Sequence, residues 1–96
     1  MTTRAIITSD HSIASLVSSS GTLITKDMTR IFLHIFNSGA DNIGVNLTGG
    51  TASIGAAGTS TIIPNGSITF NQGSIIGNPI TVIGTQGQPV TCVTSP

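Results

Sequence analysis

The sequence predicts an all-β protein, a single-domain β-sandwich or jelly-roll-like domain with an N-terminal extension. Ile, Val and Thr make up 35 of the 96 residues, and these β-branched side chains favour a pleated surface. Strong helix formers are scarce, with four Leu, one Lys and no Glu. Turn residues divide the chain into short segments spaced at roughly 8–12 residues, which is typical of sandwiches and small barrels. The length suits one domain at most.

The first 28 residues alternate less cleanly than the remainder. We therefore expect residues 1–28 to form a partly extended N-terminal arm and residues 29–96 to form the β-sandwich domain. Short strands are predicted over 4–8 and 22–25. Between them, Ile13, Leu16 and Val17 stand at helical spacing. Residues 12–20 are thus read either as a short helical turn or as a strand.

The clearest strand spans 29–36, because its apolar residues occupy both faces. One face carries Ile31, Leu33 and Ile35, and the other carries Phe32, His34 and Phe36. A strand that is apolar on both sides is typical of a central position. We expect a second sheet to cover one face, and a neighbouring molecule or the N-terminal arm to cover the other.

The remaining strands are predicted between turn signals. Their ranges are 43–47, 51–54, 59–63, 68–70, 80–83 and 90–93. Pro64-Asn65-Gly66 is the strongest hairpin signal, since Pro presets φ and Asn-Gly tolerates a positive φ after it. Eight short strands would be the number found in a jelly roll.

Charged residues are few, and the formal net charge is zero. They are Arg4, Asp10, Lys26, Asp27, Arg30 and Asp41, so that residues 42–96 carry no charged side chain. Without an excess of basic residues the protein is not expected to bind nucleic-acid phosphate non-specifically. Few side chains could transfer protons, so a catalytic mechanism is not expected either. A near-zero net charge favours association, so we expect an assembly component. The alternative is a monomer solubilised by hydroxyl and amide groups.

No motif predicts a catalytic, cofactor or metal site. Asp10, His11 and Ser12 are adjacent, and adjacent side chains cannot converge in a hydrolytic triad. The possible metal ligands His34 and Cys92 lie far from His11 and from each other. The glycine-rich stretch 49–58 lacks the Gly-Lys-Ser/Thr ending of a phosphate loop. We therefore expect a protein that is not an enzyme and needs no cofactor.

Three further features concern the protein's location. The lone Cys92 cannot form an internal disulfide. The first residues lack the apolar core of a signal peptide, and no apolar run is long enough to span a membrane. We accordingly expect a soluble product that is made in the cytoplasm and has no membrane partner.

Three segments carry a family resemblance: TRIFLHIFNSGADNIGVNLTGG, GTSTIIPNGSITF and ITVIGTQGQPVTCV. Together they resemble small β-sandwich structural proteins of tailed-bacteriophage virions. In those proteins an I-x-N-x-G strand end, an I-x-V strand, a Gly-Gly turn and a Pro-x-Gly hairpin follow in this order. The resemblance runs from about residue 29 to residue 93. It implies a virion protein without enzymatic activity or cofactor, of a kind that often forms trimers.

The sequence thus predicts a capsid decoration protein that binds and stabilises the outer capsid shell. Its partners would be the major capsid protein or another virion protein, and further copies of itself, with a trimer favoured. The virion would be assembled in the host cytoplasm. The alternatives are a tail, neck or head-fibre component, and a stand-alone carbohydrate-binding module that uses loops 73–79 and 84–88. The predicted interface residues are Arg4, Ile6, Ile7, Ile13, Leu16, Val17, Phe32, His34 and Phe36.

Overall fold

The structure, a computed structural model, describes residues 7–71 and 74–95. Within these ranges it contains strands and turns but no helix, which confirms the all-β prediction. The strands are β1 (Ser9–Asp10), β2 (Gly21–Ile24), β3 (Phe32–Phe36), β4 (Ile43–Asn46), β5 (Thr59–Ile62), β6 (Ser67–Phe70), β7 (Ile80–Ile83) and β8 (Thr91–Ser95).

The strands form two four-stranded antiparallel sheets. Sheet 1 has the order β1-β8-β3-β6, and sheet 2 has the order β2-β7-β4-β5. Most connections cross from one sheet to the other, and only β4 and β5 are consecutive neighbours in one sheet. This order of strands in two facing sheets is the jelly-roll arrangement. The sandwich prediction is therefore confirmed, in its jelly-roll form.

The core lies between the sheets and is built by alternation along the strands. Leu33 and Ile35 of β3 are fully buried, as are Ile43 and Val45 of β4. β3 is a central strand, paired with both β6 and β8. Side chains of even number on β3 consequently point away from the core, because successive residues of a strand face opposite sides.

The N-terminal segment contributes to both sheets. β1 pairs with β8, and β2 pairs with β7. Leu16, Leu23 and Ile24 belong to the buried core. In its described part, residues 7–28, the predicted arm therefore packs into the sandwich. It follows the β8 edge of sheet 1 and does not cover the outer face of β3.

Two predicted local structures differ from those observed. Residues 12–20 form neither a helix nor a regular strand, although Ile13 makes an isolated bridge with Val90. Residues 51–54, predicted as a strand, are a loop. This loop continues through Gly55 and Gly58, whose positive φ values of 83° and 87° turn the chain away from an extended path.

The 47–58 loop packs on the outer face of sheet 2. The Asn46 side chain lies beneath it, accepting hydrogen bonds from the Thr48 N–H (2.9 Å) and hydroxyl (2.6 Å). Its amide nitrogen donates to the Thr51 carbonyl at 3.3 Å. The loop thus covers part of the outer face of sheet 2, whereas the outward-facing side chains of β3 in sheet 1 are half-buried.

Candidate interaction surfaces

The ionisable side chains of residues 7–71 and 74–95 are dispersed over the domain. In the described ranges no group of three or more His, Cys, Asp or Glu could hold a metal ion. Within the Asp10-His11-Ser12 stretch, the Ser12 N–H donates to the Asp10 carboxylate at 2.9 Å, forming a local turn. The Ser12 hydroxyl accepts a hydrogen bond from the Cys92 N–H at 3.0 Å. Both polar side chains stabilise the pairing of β1 with β8.

The outer face of sheet 1 carries three of the predicted interface residues. Phe32, His34 and Phe36 are half-buried there along β3. The rings of His34 and Phe36 stack with their centroids 6.5 Å apart and their planes at 10°. His34 Nδ1 and the Thr69 hydroxyl share a hydrogen bond of 2.8 Å, which links β3 to β6. On this face β3 thus carries one stacked ring pair and one side-chain hydrogen bond to β6.

The predicted interface residues of the N-terminal segment occupy different environments. Ile7 is 83% exposed and Val17 is 48% exposed. Ile13 is half-buried and packs against the core. Leu16, by contrast, is only 4% exposed, so its side chain is occupied within the domain. Arg4 and Ile6 lie outside the described residues.

The side of the sandwich formed by β5 and β6, here called the β5/β6 side, has open strand edges. Each strand pairs with one neighbour, β5 with β4 and β6 with β3. In the described part of the chain no strand pairs with their outer edges. Neither strand contains a charged residue or a proline. Ile68 and Phe70 of β6 are only partly buried where they meet the core.

The opposite side, formed by β1 and β2, is here called the β1/β2 side. β1 is only two residues long and carries the charged Asp10. β2 has an irregular register between Thr22 and Ile24. Short strands, charges and bulges are the features by which proteins prevent pairing at sheet edges. The β1/β2 side therefore has such protection, and the β5/β6 side does not.

A buried amide pair, which the sequence did not single out, fixes the β5–β6 turn. The Asn37 side chain is fully buried and donates to the carbonyls of Ile62 and Asp41, both at 2.8 Å. Its oxygen accepts from Gln88 Nε2 at 2.9 Å. Gln88 also donates to the Asp41 carbonyl. An Asn directly after a strand was the available signal, but its partner lies 51 residues further along the chain.

A small apolar pocket opens on the β1/β2 side. Its volume is about 90 Å³, and its walls include Ile13, Leu16, Val17 and Val82. Leu16 is held by backbone hydrogen bonds, from its N–H to the Gln88 carbonyl at 2.7 Å and from the Gly87 N–H to its carbonyl at 2.8 Å. The pocket lies where the chain crosses from sheet 1 to sheet 2.

Cys92 lies in the core on β8, with no exposed surface. Burial raises the pKa of its thiol from 9.0 to about 11, because the apolar surroundings disfavour the thiolate. The thiolate is the reactive form of cysteine. In the folded protein Cys92 is consequently both inaccessible and protonated at neutral pH.

Comparison with known proteins gives a structural neighbour but no family. No family model matches the sequence, and no curated protein matches it. A solved structure described by the words "Bacillus endospore appendages form a novel family of disulfide-linked pili" aligns with a TM-score of 0.53 and 13% sequence identity. The alignment covers 98% of this chain and 88% of that chain. At this identity the likeness shows a shared fold.

This finding corrects the predicted function. The structural neighbour is a pilus protein and not a phage capsid decoration protein, so the prediction of a capsid decoration protein is wrong. The motifs behind it, a Gly-Gly turn and a Pro-x-Gly hairpin, mark where strands end in any sandwich of this composition. They report turn geometry and carry no information on the partner.

The two loops named for carbohydrate binding are also far apart. Loop 84–88 lies at the end of the sandwich that contains Asn37, to which Gln88 is hydrogen-bonded. The described part of loop 73–79 lies at the other end, where Gly77 accepts a hydrogen bond from the Asp27 N–H at 2.9 Å. They do not form one site. Within the described residues there is also no helix long and apolar enough to cross a membrane.

Proposed function

We propose that this protein is a non-enzymatic structural subunit that assembles with copies of itself into a fibre. The observation that carries the proposal is the open, uncharged β5/β6 side. In the described ranges no strand pairs with the outer edges of β5 and β6, which lie beside the partly buried Ile68 and Phe70. An unprotected edge is a template for another chain, and a natural protein keeps one where association is useful.

The charge distribution supports self-association. All six charged residues fall at or before Asp41, so β4 to β8 contain none. Copies that meet through the β5/β6 side would have no like charges to bring together and no ions to desolvate. Uncharged Ser and Thr side chains keep such a surface hydrated until it is covered.

The structural similarity to a pilus protein supports this role. The two proteins differ, however, in whether disulfides can link the copies. That family is described as disulfide-linked. This chain has a single cysteine, and Cys92 is buried with a raised pKa. We therefore propose that the copies are held together by non-covalent contacts, in sufficient number for many weak interfaces to add up.

Electron microscopy and sedimentation of the purified full-length protein test the proposal. We expect fibres that persist in a reducing agent, since no disulfide is required. A protein that stays monomeric at all accessible concentrations would overturn the proposal. Fibres that dissolve on reduction would overturn the non-covalent part of it.

A matched pair of variants tests the role of the strand edge. Thr61 is exposed on β5 and lies opposite Gly44, which has no side chain to clash with a replacement. We expect Thr61→Lys to reduce fibre formation, because a charged edge strand resists pairing. Ala57→Lys adds the same charge in the adjacent loop, where Ala57 is exposed, and should assemble normally. Equal behaviour of the two variants would contradict a role for the β5 edge.

A further inference from the structure

An exposed apolar side chain stands at the corner of the β5/β6 side. Ile63 is 62% exposed in the turn between β5 and β6. Its carbonyl accepts a hydrogen bond from the Gly66 N–H at 2.9 Å, and Asn65 has the positive φ of 64° that this turn requires. The Asn65 N–H also donates to the Asn37 carbonyl at 2.9 Å. Ile63 is thus presented by a rigid turn tied to the core.

The pocket on the β1/β2 side matches such a side chain in size and polarity. Its volume of about 90 Å³ is several times the ~10–15 Å³ that one buried water needs, so the space can take a branched aliphatic group. Gly21 contributes to its wall, and a Cβ built there would meet no atom within 4 Å. Ser15, Ser19 and Thr22 also line the pocket, but most of its exposed wall is apolar, which favours an apolar occupant.

The two features cannot meet within one molecule. They lie at the same end of the sandwich but on opposite sides, separated by the three strand spacings from β1 to β6, about 14 Å. Contact between them must join two copies, and each copy retains a free pocket and a free Ile63. Such a head-to-tail contact is heterologous and produces a ring or an open helical filament.

We propose that Ile63 of one copy inserts into the apolar pocket of a second copy, so that the β5/β6 side of each subunit docks on the β1/β2 side of the next. This inference rests on the proposed function and specifies its interface. The Ile63 turn and the residues that line the pocket carry no charged side chain, so insertion of Ile63 desolvates no ion. The contact is continuous with the open edges of β5 and β6.

Cysteine cross-linking of the full-length protein tests the direction of this contact. Val17 lines the pocket and is 48% exposed, so Val17→Cys combined with Ile63→Cys places one thiol on each surface. We expect a mild oxidant to convert this double variant into a ladder of covalent oligomers on a non-reducing gel. Each single variant should give dimers at most. The buried Cys92 should stay unreacted in both.

The control pair uses an exposed apolar residue at the other end of the sandwich. Met28 is 75% exposed and follows β2, so Val17→Cys combined with Met28→Cys should give no ladder. In addition, Ile63→Ser should raise the concentration needed for assembly roughly tenfold, the factor for losing most of one buried aliphatic contact. Met28→Ser should leave that concentration unchanged.

The outcomes separate this inference from the proposed function. Fibres that form equally well with Ile63→Ser, and no ladder from the Val17/Ile63 pair, would overturn the interface and leave the fibre subunit intact. Absence of fibres and of cross-links in every variant would overturn both. Protection of the Val17→Cys thiol in an isolated monomer by a small alkane, with no dependence on Ile63, would instead identify the pocket as a ligand site.

Discussion

The two sides of this jelly roll differ in how far their edge strands are protected from pairing with another chain. On the β1/β2 side the edges are short or irregular, Asp10 places a charge on β1, and the crossing chain buries Leu16 against the core. On the β5/β6 side a tight turn connects two regular, uncharged edges, and Ile63 remains exposed. The difference shows that the features that hinder strand pairing are concentrated on the β1/β2 side, so the two sides of the domain are not equivalent.

The largest expected effect tests whether the β1/β2 side is an integral part of the domain. Leu16→Ala should destabilise the protein by about 2–5 kcal/mol, the usual cost of removing a buried leucine side chain. Ile62→Ala, at an equally buried position on the β5/β6 side (each residue is 4% exposed), should cost a similar amount. Chemical denaturation of both variants, under conditions that keep them monomeric, measures the two free energies of unfolding.

A small loss for Leu16→Ala beside a large loss for Ile62→Ala would contradict this symmetry. It would mean that residues 7–28 behave as an attached arm, as the sequence predicted, in spite of their place in the sheets. Val17→Ala serves as the control on the same segment, because Val17 is 48% exposed and should change the free energy of unfolding little.

An intermediate effect is expected at Asn37, which holds the β5–β6 turn in place. Asn37→Ala removes the donor to the buried Ile62 carbonyl and the acceptor for Gln88 Nε2. Each buried group left unpaired costs about 1–3 kcal/mol. Thermal unfolding should therefore show a clear loss, whereas Asn42→Ala, at an exposed neighbouring position, should show almost none.

Asn37 should also affect assembly if the turn presents Ile63. If Asn37→Ala is less stable but assembles at the same concentration as the unaltered protein, the conformation of the β5–β6 turn does not affect the interface. Amide hydrogen exchange at Asn65 and Gly66 provides a direct check, since loss of the side-chain support should increase their exchange rates. Unchanged rates would show that the backbone hydrogen bonds alone hold the turn.

The sequence predicted those parts of the fold that depend on local patterns. The apolar residues on both faces of segment 29–36 correctly placed β3 at the centre of a sheet, and Pro64-Asn65-Gly66 correctly marked a turn. The burial of Leu16 was not predictable in this way, because it depends on strands β7 and β8, more than 60 residues away. Nor was the Asn37–Gln88 pair, whose members are 51 residues apart.

The candidate interaction surfaces could likewise be predicted only where they depend on local sequence patterns. Phe32 and Phe36 were expected to face a partner, and alternation correctly placed them on the outer face of sheet 1. Ile63 was assigned to a strand, although its exposure depends on how β5 passes from sheet 2 to sheet 1. The pocket near Val17 exists only because the crossing segment packs against β2 and β7. Composition predicted an assembly component, whereas the difference between the two sides became visible only in the fold.

The smallest expected effect comes from the charges near β2. The Thr29 hydroxyl donates to the Asp27 carboxylate at 2.7 Å and the Thr29 N–H donates at 2.9 Å. These bonds, the hydroxyl first, lower the pKa of Asp27 below 3.8, because they stabilise the charged form. The native state therefore releases this proton more readily than the unfolded state does. The resulting stabilisation is present above the unfolded-state pKa and is lost as the pH falls through the folded-state pKa.

Acid titration followed by NMR measures this effect at the Thr29 amide. Its chemical shift should report a carboxyl pKa below 3.8, and the resonance should no longer titrate in Asp27→Asn. Thr29→Val removes the hydroxyl donor and should raise the Asp27 pKa toward its ordinary value. An unchanged pKa in Thr29→Val would assign the shift to the backbone donor. Residues 42–96 contain no carboxylate side chain. In the monomeric protein the amides of β5 and β6 should therefore show no comparable titration. A titration seen at those amides would show that the β1/β2 and β5/β6 sides are electrostatically coupled.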